Sequence, residues 1–463
     1  QVPHVTIDGA TAKDFDDAIA VEETADGFRL HVSIADVSYY VRTGSPIDRE
    51  AYQRGTSVYF PDLVLPMLPE RLSNDLCSLV PNQDRPAFSA ILDFDRKGRQ
   101  IRAEFCRSMI NSHSRFTYDM VHRIIYLKEK NERKKYAKLV PMLTTAARLS
   151  SLLRKRRERR GSLGFTLPEA EIQIQDGRVL SISHAKRNEA HLLIEDFMLA
   201  ANEAVAETLA RARQEVLFRI HERPDPVKVN TFTEAAAAMG LQLAKTDISP
   251  AWFARVLDEA RDEPAEYVVN NLLLRTMQRA KYSPENLGHF GLAAKYYLHF
   301  TSPIRRYPDL IAHRVLHNFL VKQTEKGKPK ALIPGKDNLT EAAIHLSARE
   351  RVAVDGERDV QARLSSLFML DRIGEEFNGV ISGVTSFGLF IELIDYFISG
   401  AVPIRSMNDD YYLFDSRAHR LIGERSNKVY QLGHTVKIRL EHVDMGAKRI
   451  TFSLVSPEQT PKK

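Results

Sequence analysis

Asp8, Asp14, Asp16 and Asp17 fall within ten residues, in the run TIDGATAKDFDDAIAV. Four carboxylates on one tight segment repel one another unless something cationic sits between them. Hard oxygen ligands of this kind suit Mg²⁺ or Mn²⁺. A calcium loop of the EF-hand kind does not fit: counting from Asp14, the fifth and sixth positions are Ala18 and Ile19, where Asp or Asn and then Gly are required. A solvent-exposed acidic turn remains the competing reading. A second constellation is His299-Phe300-Thr301-Ser302-Pro303-Ile304-Arg305-Arg306-Tyr307-Pro308-Asp309. Thr301 or Ser302 can cap a helix with Pro303 in its first turn. Arg305 and Arg306 would then lie near a helix N-terminus, a place that collects anions. An Arg beside a phosphate is what phosphoryl transfer needs for its developing charge. A structural salt bridge to Asp309 competes with that reading.

Two other patterns carry less. His313 and His317 are four apart, but HRVLH lacks the Glu of HExxH, so a helical stripe is expected rather than zinc. Gly327 to Gly335-Lys336 has the wrong spacing for a phosphate-binding Walker loop. There is no G-x-S-x-G.

The elements that must position these residues follow from periodicity. Residues 4–40 alternate or run apolar with β-branched side chains and read as strands, as do 88–110 around a turn at Asp95–Gly98. Residues 58–68 are Pro-punctuated and loop-like. From Thr117 to Arg160 the pattern turns helical and ends in a basic run, Arg154, Lys155, Arg156, Arg157, Arg159 and Arg160. That run is either a solvated face or an anion contact. Short strands flank an Asp176-Gly177 turn. Helices are expected over 187–213, through most of 228–282, over 304–321 and over 340–372. Residues 322–337 read as a linker. Beyond Gly374, EFNGVISGV, FGLFIELI, AVPI, TVKIRLEHVD and RITFSLV predict a small five-stranded barrel of the OB kind.

The chain has 463 residues, enough for about three domains. With 22 Phe and 16 Tyr it has too many aromatics for a disordered chain. Two cysteines, Cys77 and Cys106, exclude a disulfide framework and suit a reducing cytoplasm. No run approaches about 18 apolar residues, so no membrane span is expected. A net charge of +6 is compatible with an anionic partner without requiring one. The sequence opens at Gln1, already inside a strand-like run, from which a removed upstream segment is expected.

Taken together, these segments resemble a family. TIDGATAKDFDDAI, GTSVYFPDLVLPMLPERLSNDLCSL, LIEDFMLAAN, FRIHERP, GHFGLA and HFTSPIRRYPDL occur in the order found in the RNB-domain exoribonucleases, the ribonuclease II and ribonuclease R group. FNGVISGVTSFGLFIEL resembles the S1 domain that follows RNB in them. NDDYYLFD and the run to RITFSLV favour the ribonuclease R branch. The resemblance implies a mixed α/β (α+β) RNB catalytic domain over 1–338, a helical connector over 339–372, an all-β S1 barrel of the OB fold over 373–456, and a polar tail.

It also implies roles. Asp8, Asp14, Asp16 and Asp17 match the acidic residues that hold two divalent ions, Mg²⁺ or Mn²⁺. Arg305 matches the Arg that contacts the scissile phosphate, and Arg306 beside it is expected to meet the substrate too. Tyr59 and Phe165 match the aromatics at the two ends of the base stack. Tyr118 and Glu195, with Asp196 as the alternative, match residues linked to recognition of the ribose 2′-OH. Phe387 and Phe390 match the aromatic face of the S1 barrel. The expected activity is 3′→5′ hydrolysis of single-stranded RNA, or of structured RNA with a 3′ overhang, by a cytoplasmic monomer.

Overall fold

In the computed structural model, β1 (His4–Asp8), β2 (Asp17–Glu23), β3 (Gly27–Ala35), β4 (Asp84–Asp95) and β5 (Gln100–Thr117) close into a barrel. The structure describes residues 2–165, 170–241, 243, 247–261, 266–324, 338–396, 398–415 and 419–455. Neighbouring strands run antiparallel, and the barrel is closed by a parallel pairing of β1 with β5. Val5, Ile7, Ile19, Leu30, Val32, Ile34, Phe88 and Leu92 are fully buried. β1 and β3 alternate, with Val5, Ile7, Phe28, Leu30, Val32 and Ile34 on one face and His4, Thr6, His31 and Ser33 on the other, and both faces are largely buried.

Register sets the polarity of this barrel. Asp8 pairs with Thr117 and Asp17 with Ile34. The end of β1, the start of β2 and the end of β5 therefore share one rim. The turn at Asp95–Gly98 lies at the opposite rim, where the Asp95 carboxylate accepts from Lys97 and Arg99 N–H.

β5 runs directly into α1 (Tyr118–Ile125), capped by Thr117. α2 (Val140–Arg160) and α3 (Glu189–Arg211) pack on each other and on the barrel. α2 stops at Gly161, which has φ 92°, a left-handed cap. A Cβ there would come within 2.8 Å of the Ala251 backbone nitrogen, so glycine is required twice over. Three helices, Pro226–Ala238, Pro250–Glu259 and Glu266–Thr276, build a satellite core around Trp252 and Phe253. α4 (Tyr307–Thr324) returns through the main core.

α5 (Leu339–Leu370) has 32 residues, about 48 Å of helix. It is tied to the first domain by a bidentate pair of Glu350 with Arg219 at 2.6 and 2.9 Å, and to the second barrel by Asp359 with Lys448. That barrel has β6 (Glu376–Thr385), β7 (Gly388–Leu393), β8 (Ser399–Pro403), β9 (Thr435–Asp444) and β10 (Arg449–Leu454). Its strands are the five expected from sequence. The three-stranded sheet between β8 and β9, Tyr412–Asp415, Arg420–Gly423 and Val429–Gln431, was not expected. Most of the 322–337 segment, expected to be a linker, lies outside the described residues.

Candidate active site

The acidic cluster sits on the rim where β1 ends and β2 begins. Asp8 is the last residue of β1 and Asp17 the first of β2. The loop between them is held from several sides. Arg115 Nη2 donates to the carbonyls of Gly9 and Ala10 at 3.1 and 2.7 Å. Phe15 is buried, and its N–H donates to Ser78 Oγ at 2.9 Å while that hydroxyl donates to the Lys13 carbonyl at 2.7 Å. None of these anchors was singled out from sequence, because a hydroxyl 63 positions away leaves no local signature.

The second constellation arrives at the same rim. Asp16 Oδ1 accepts from the Ile304 N–H at 2.9 Å, and Arg305 Nε lies 3.7 Å from Asp16 Oδ2. The helix expected from about residue 304 starts instead at Tyr307. Pro303–Arg305 form a turn in which Arg305 and Arg306 N–H donate to the Ser302 carbonyl. Pro308, not Pro303, is the proline of the helix's first turn, and Asp309 is its acidic residue. Fully buried Asp309 accepts from the Ser302 N–H at 2.7 Å and from Arg306 Nη2 at 2.8 Å.

The two arginines therefore divide the two readings between them. Arg306 is turned inward onto Asp309, in the arrangement of a structural salt bridge. Arg305 is 46% exposed beside Asp16, where a substrate oxygen can reach it. Its carbonyl accepts from the Ser57 N–H at 2.9 Å, which fastens this turn to the strand leading to Tyr59.

Electrostatics mark the cluster as short of positive charge. Burial, and then Asp17, raises the Asp8 carboxyl well above the usual range. Burial raises Asp17 as well, with Arg305 opposing it. Asp16 is raised by burial against the pull of Arg305 and the Ile304 hydrogen bond. Asp8 Oδ2 and Asp17 Oδ2 are buried without a hydrogen-bond donor. Orphaned buried carboxylate oxygens beside one arginine are suited to a hard divalent cation. Among the described residues no three His, Cys, Asp or Glu side chains form a finished ligand set. The fit therefore rests on donor chemistry and burial.

Tyr59 and Tyr118 lie beside the rim, while Phe165, Phe387 and Phe390 lie elsewhere. The Tyr59 phenol donates to Asp14 Oδ2 at 3.1 Å, and its ring is 39% exposed. Tyr118 opens α1 at the end of β5 and stacks on His191, with centroids 3.8 Å apart and planes at 20°. Burial, then Asp17 and Asp8, raise its phenol, which places it in the field of the acidic cluster. Phe165 packs at the edge of the Trp252 core, immediately before residues outside the description. Phe387 and Phe390 stand edge-on at 6.2 Å on the second barrel, 65% and 41% exposed.

Glu195 and Asp196 part company. Glu195 is exposed and pairs with Arg187 at 2.6 Å. Asp196 is buried under α2, where it accepts from Arg154 Nη2 at 2.9 Å, from Arg157 and from Ser150. The basic run is thus partly internal: Arg154 and Arg157 hold Asp196, and Arg160 holds Glu203 at 2.6 Å. Arg156, Arg157 and Arg160 line a cavity of about 780 Å³ with Arg99 and Arg102, on the side of the Asp95–Gly98 turn and away from the Asp8–Asp17 cluster. His313, discounted as a zinc ligand, is buried, stacked on Phe300 and hydrogen-bonded to its carbonyl at 2.8 Å.

The RNB domain family matches residues 1–322, and the S1 RNA binding domain family matches residues 370–454. The chain belongs to the RNB family. Among curated proteins, this RNB chain is 43% identical to ribonuclease R of Escherichia coli over 471 residues, covering 100% of the chain and 57% of that protein. It is 44% identical to ribonuclease R of Aquifex aeolicus over 453 residues, covering 97% of the chain and 63% of the relative. The RNB chain thus spans about three fifths of those proteins. Among solved structures, Mycoplasma genitalium RNase R in complex with ribose methylated single-stranded RNA superposes with a TM-score of 0.91 at 33% identity, over 98% of this chain and 71% of that one. No helix among the described residues is long and apolar enough to cross a membrane.

Proposed function

We propose that the chain is the catalytic and S1 portion of a ribonuclease R-type 3′→5′ exoribonuclease. It would hydrolyse single-stranded RNA, including the 3′ overhang of structured RNA, processively to nucleoside 5′-monophosphates. The observation that carries this reading is the contact of Asp16 with the 304–305 turn, which puts the acidic cluster and an exposed arginine at one point. The RNA-bound relative supports the substrate class. Both cysteines are free, in keeping with a reducing cytoplasm.

Asp8, Asp14, Asp16 and Asp17 would hold two divalent cations, Mg²⁺ or Mn²⁺. Such ions supply activation of a water and neutralisation of charge at the departing 3′ oxygen. The chain's own groups do the rest. Arg305 faces the scissile phosphate and stabilises charge that grows during displacement. Tyr59 and Phe165 stack the terminal bases without reading them, since every base offers a π-face. Tyr118 and Glu195 would face the ribose 2′-OH that separates RNA from DNA. Phe387 and Phe390 offer a platform to the strand further from the cut.

A gel time course on 5′-labelled single-stranded RNA tests the reading, with Mg²⁺, with EDTA, and beside DNA of the same sequence. Descent to a short 5′ remnant, on RNA only and with metal only, is the expected result. Internal cuts in a circular RNA would replace it with an endonuclease. Asp16→Asn should bind RNA and leave it intact. If the unaltered chain also binds RNA and leaves it intact, this portion is an RNA-binding module without catalysis.

A further inference from the structure

Tyr59 is held by two hydrogen bonds, and each reaches a different part of the molecule. Its phenol donates to Asp14 Oδ2 at 3.1 Å. Its backbone N–H donates to Glu357 Oε1 of α5 at 3.0 Å. Its ring, in a hairpin that pairs Val58 with Leu65 and Tyr59 with Val64, stays open on one side. One residue upstream but one, Ser57 is tied to the Arg305 carbonyl at 2.9 Å and accepts from the Met67 N–H at 2.8 Å. The backbone that carries the phenol is therefore anchored on two sides. Asp14, by contrast, lies mid-loop between the rim strands and is only half-buried.

A carboxylate on a loop has free χ angles that a cation must freeze on binding. A fixed donor on one oxygen removes much of that freedom beforehand and leaves the other oxygen to the ion. Outer partners of this kind are worth about 10–100-fold in metal affinity. We propose that Tyr59 is a positioning residue for Asp14: the side chain whose ring receives the terminal base also sets, through its phenol, the carboxylate that binds a divalent cation. Capture of the 3′ base and readiness of the cation site then depend on one side chain. Glu357 extends the arrangement, because it anchors the hairpin to the helix that leads to the S1 barrel. The inference rests on the exoribonuclease reading above and adds a second task to a residue which that reading uses only as a base platform.

Tyr59→Phe separates the two tasks, since it keeps the ring and removes the donor. The full chain is titrated with Mn²⁺ alone, and free Mn²⁺ is followed by electron paramagnetic resonance. Limit-product length is measured on single-stranded RNA in saturating Mn²⁺. Tyr59→Phe should weaken Mn²⁺ binding by about 10-fold or more while its RNA remnant keeps the wild-type length. Tyr59→Ala should weaken Mn²⁺ binding equally and also lengthen the remnant. Glu357→Ala should weaken Mn²⁺ binding less than either, because it loosens the hairpin without removing the phenol. Mn²⁺ affinity of Tyr59→Phe within twofold of wild type overturns the proposal, as does a remnant lengthened by Tyr59→Phe as much as by Tyr59→Ala. Wild type is the control that keeps the two readings apart. If it binds no Mn²⁺ and cuts no RNA, the exoribonuclease reading itself fails; if it does both and Tyr59→Phe matches it, only the positioning role fails.

Discussion

Asp16 and Ile304, 288 positions apart, are joined by a hydrogen bond of 2.9 Å from the Ile304 N–H to Asp16 Oδ1. This bond makes the acidic loop and the arginine turn one unit. It spends one Asp16 oxygen on the backbone and leaves the other 3.7 Å from Arg305. The loop is in turn braced by Ser78 and Arg115, so the arginine is aimed by parts of the chain from both ends of the RNB segment.

Arg305→Ala should therefore cut turnover sharply and spare the fold. The side chain is half exposed, and its loss costs buried Asp16 a cation at 3.7 Å while leaving it the Ile304 N–H. Removing one donor to developing charge costs about 10²–10³ in kcat. RNA affinity should change by only a few-fold, since the stacked bases and the S1 platform are untouched. Single-turnover rates and Kd values for a non-hydrolysable RNA check this. Equal losses in rate and in affinity would sink the assignment. Arg305→Lys keeps the charge without the fork and should recover only part of the rate.

Neighbouring residues on α3 should behave in opposite ways. Asp196 is enclosed with Arg154, Arg157 and Ser150, so Asp196→Ala would strand two partly buried cations and cost roughly 3 kcal/mol. Glu195→Ala loses an exposed pair with Arg187 and should cost less than about 1 kcal/mol. The functional effect should be reversed, with Glu195→Ala narrowing the rate difference between RNA and DNA. Urea unfolding and paired RNA and DNA time courses decide it. A larger stability loss for Glu195→Ala than for Asp196→Ala would contradict the structure.

Phe387 and Phe390 point into solvent as an edge-on pair. Replacing both with Ala should weaken binding of long RNA by about 10-fold or more, at about 1–3 kcal/mol per stacked base. A short oligonucleotide held only in the first domain should bind as before. An equal loss for both lengths would mean that the pair supports the barrel rather than the strand.

Much of this arrangement was legible in the sequence because it is local. The four aspartates fall within ten residues, the second barrel's strands alternate cleanly, and the long helices carry strong periodicity. What could not be read is what depends on distant pairing. Closure of the first barrel comes from β1 lying parallel to β5, more than 100 residues on, and no local pattern encodes it. Arg305 and Arg306 are adjacent and identical in type, and only Asp309 one turn away decides which turns inward. The helix start slipped from 304 to 307 because Ser302-Pro303 resembles a cap, while the working proline is Pro308. The Glu195 and Asp196 ambiguity was, in contrast, soluble in principle. Asp196 shares the buried face of Leu193 and Phe197 at helical spacing, so an acid there needed internal partners, and Arg154 and Arg157 are spaced to supply them.

A final expectation concerns His299, which precedes the arginine turn. It is half-buried, its Nδ1 is 2.8 Å from the Tyr282 hydroxyl, and Arg306 and Arg219 are nearby. Burial, and then those cations, hold its pKa well below the ordinary value. The folded chain keeps this ring neutral, whereas the unfolded chain protonates it near pH 6.5. Its contribution to stability is then complete above pH 6.5 and is lost as pH falls below that value, by up to about 1.4 kcal/mol per unit. His299→Asn removes this term, so its stability should fall less steeply than that of wild type between pH 6.5 and pH 5. The raised carboxyls of the acidic rim act with the opposite sign, but they are common to both proteins and cancel in the comparison. Urea unfolding at several pH values gives the two curves. Parallel curves would show that His299 titrates alike in both states, and would place a proton on it in the folded chain.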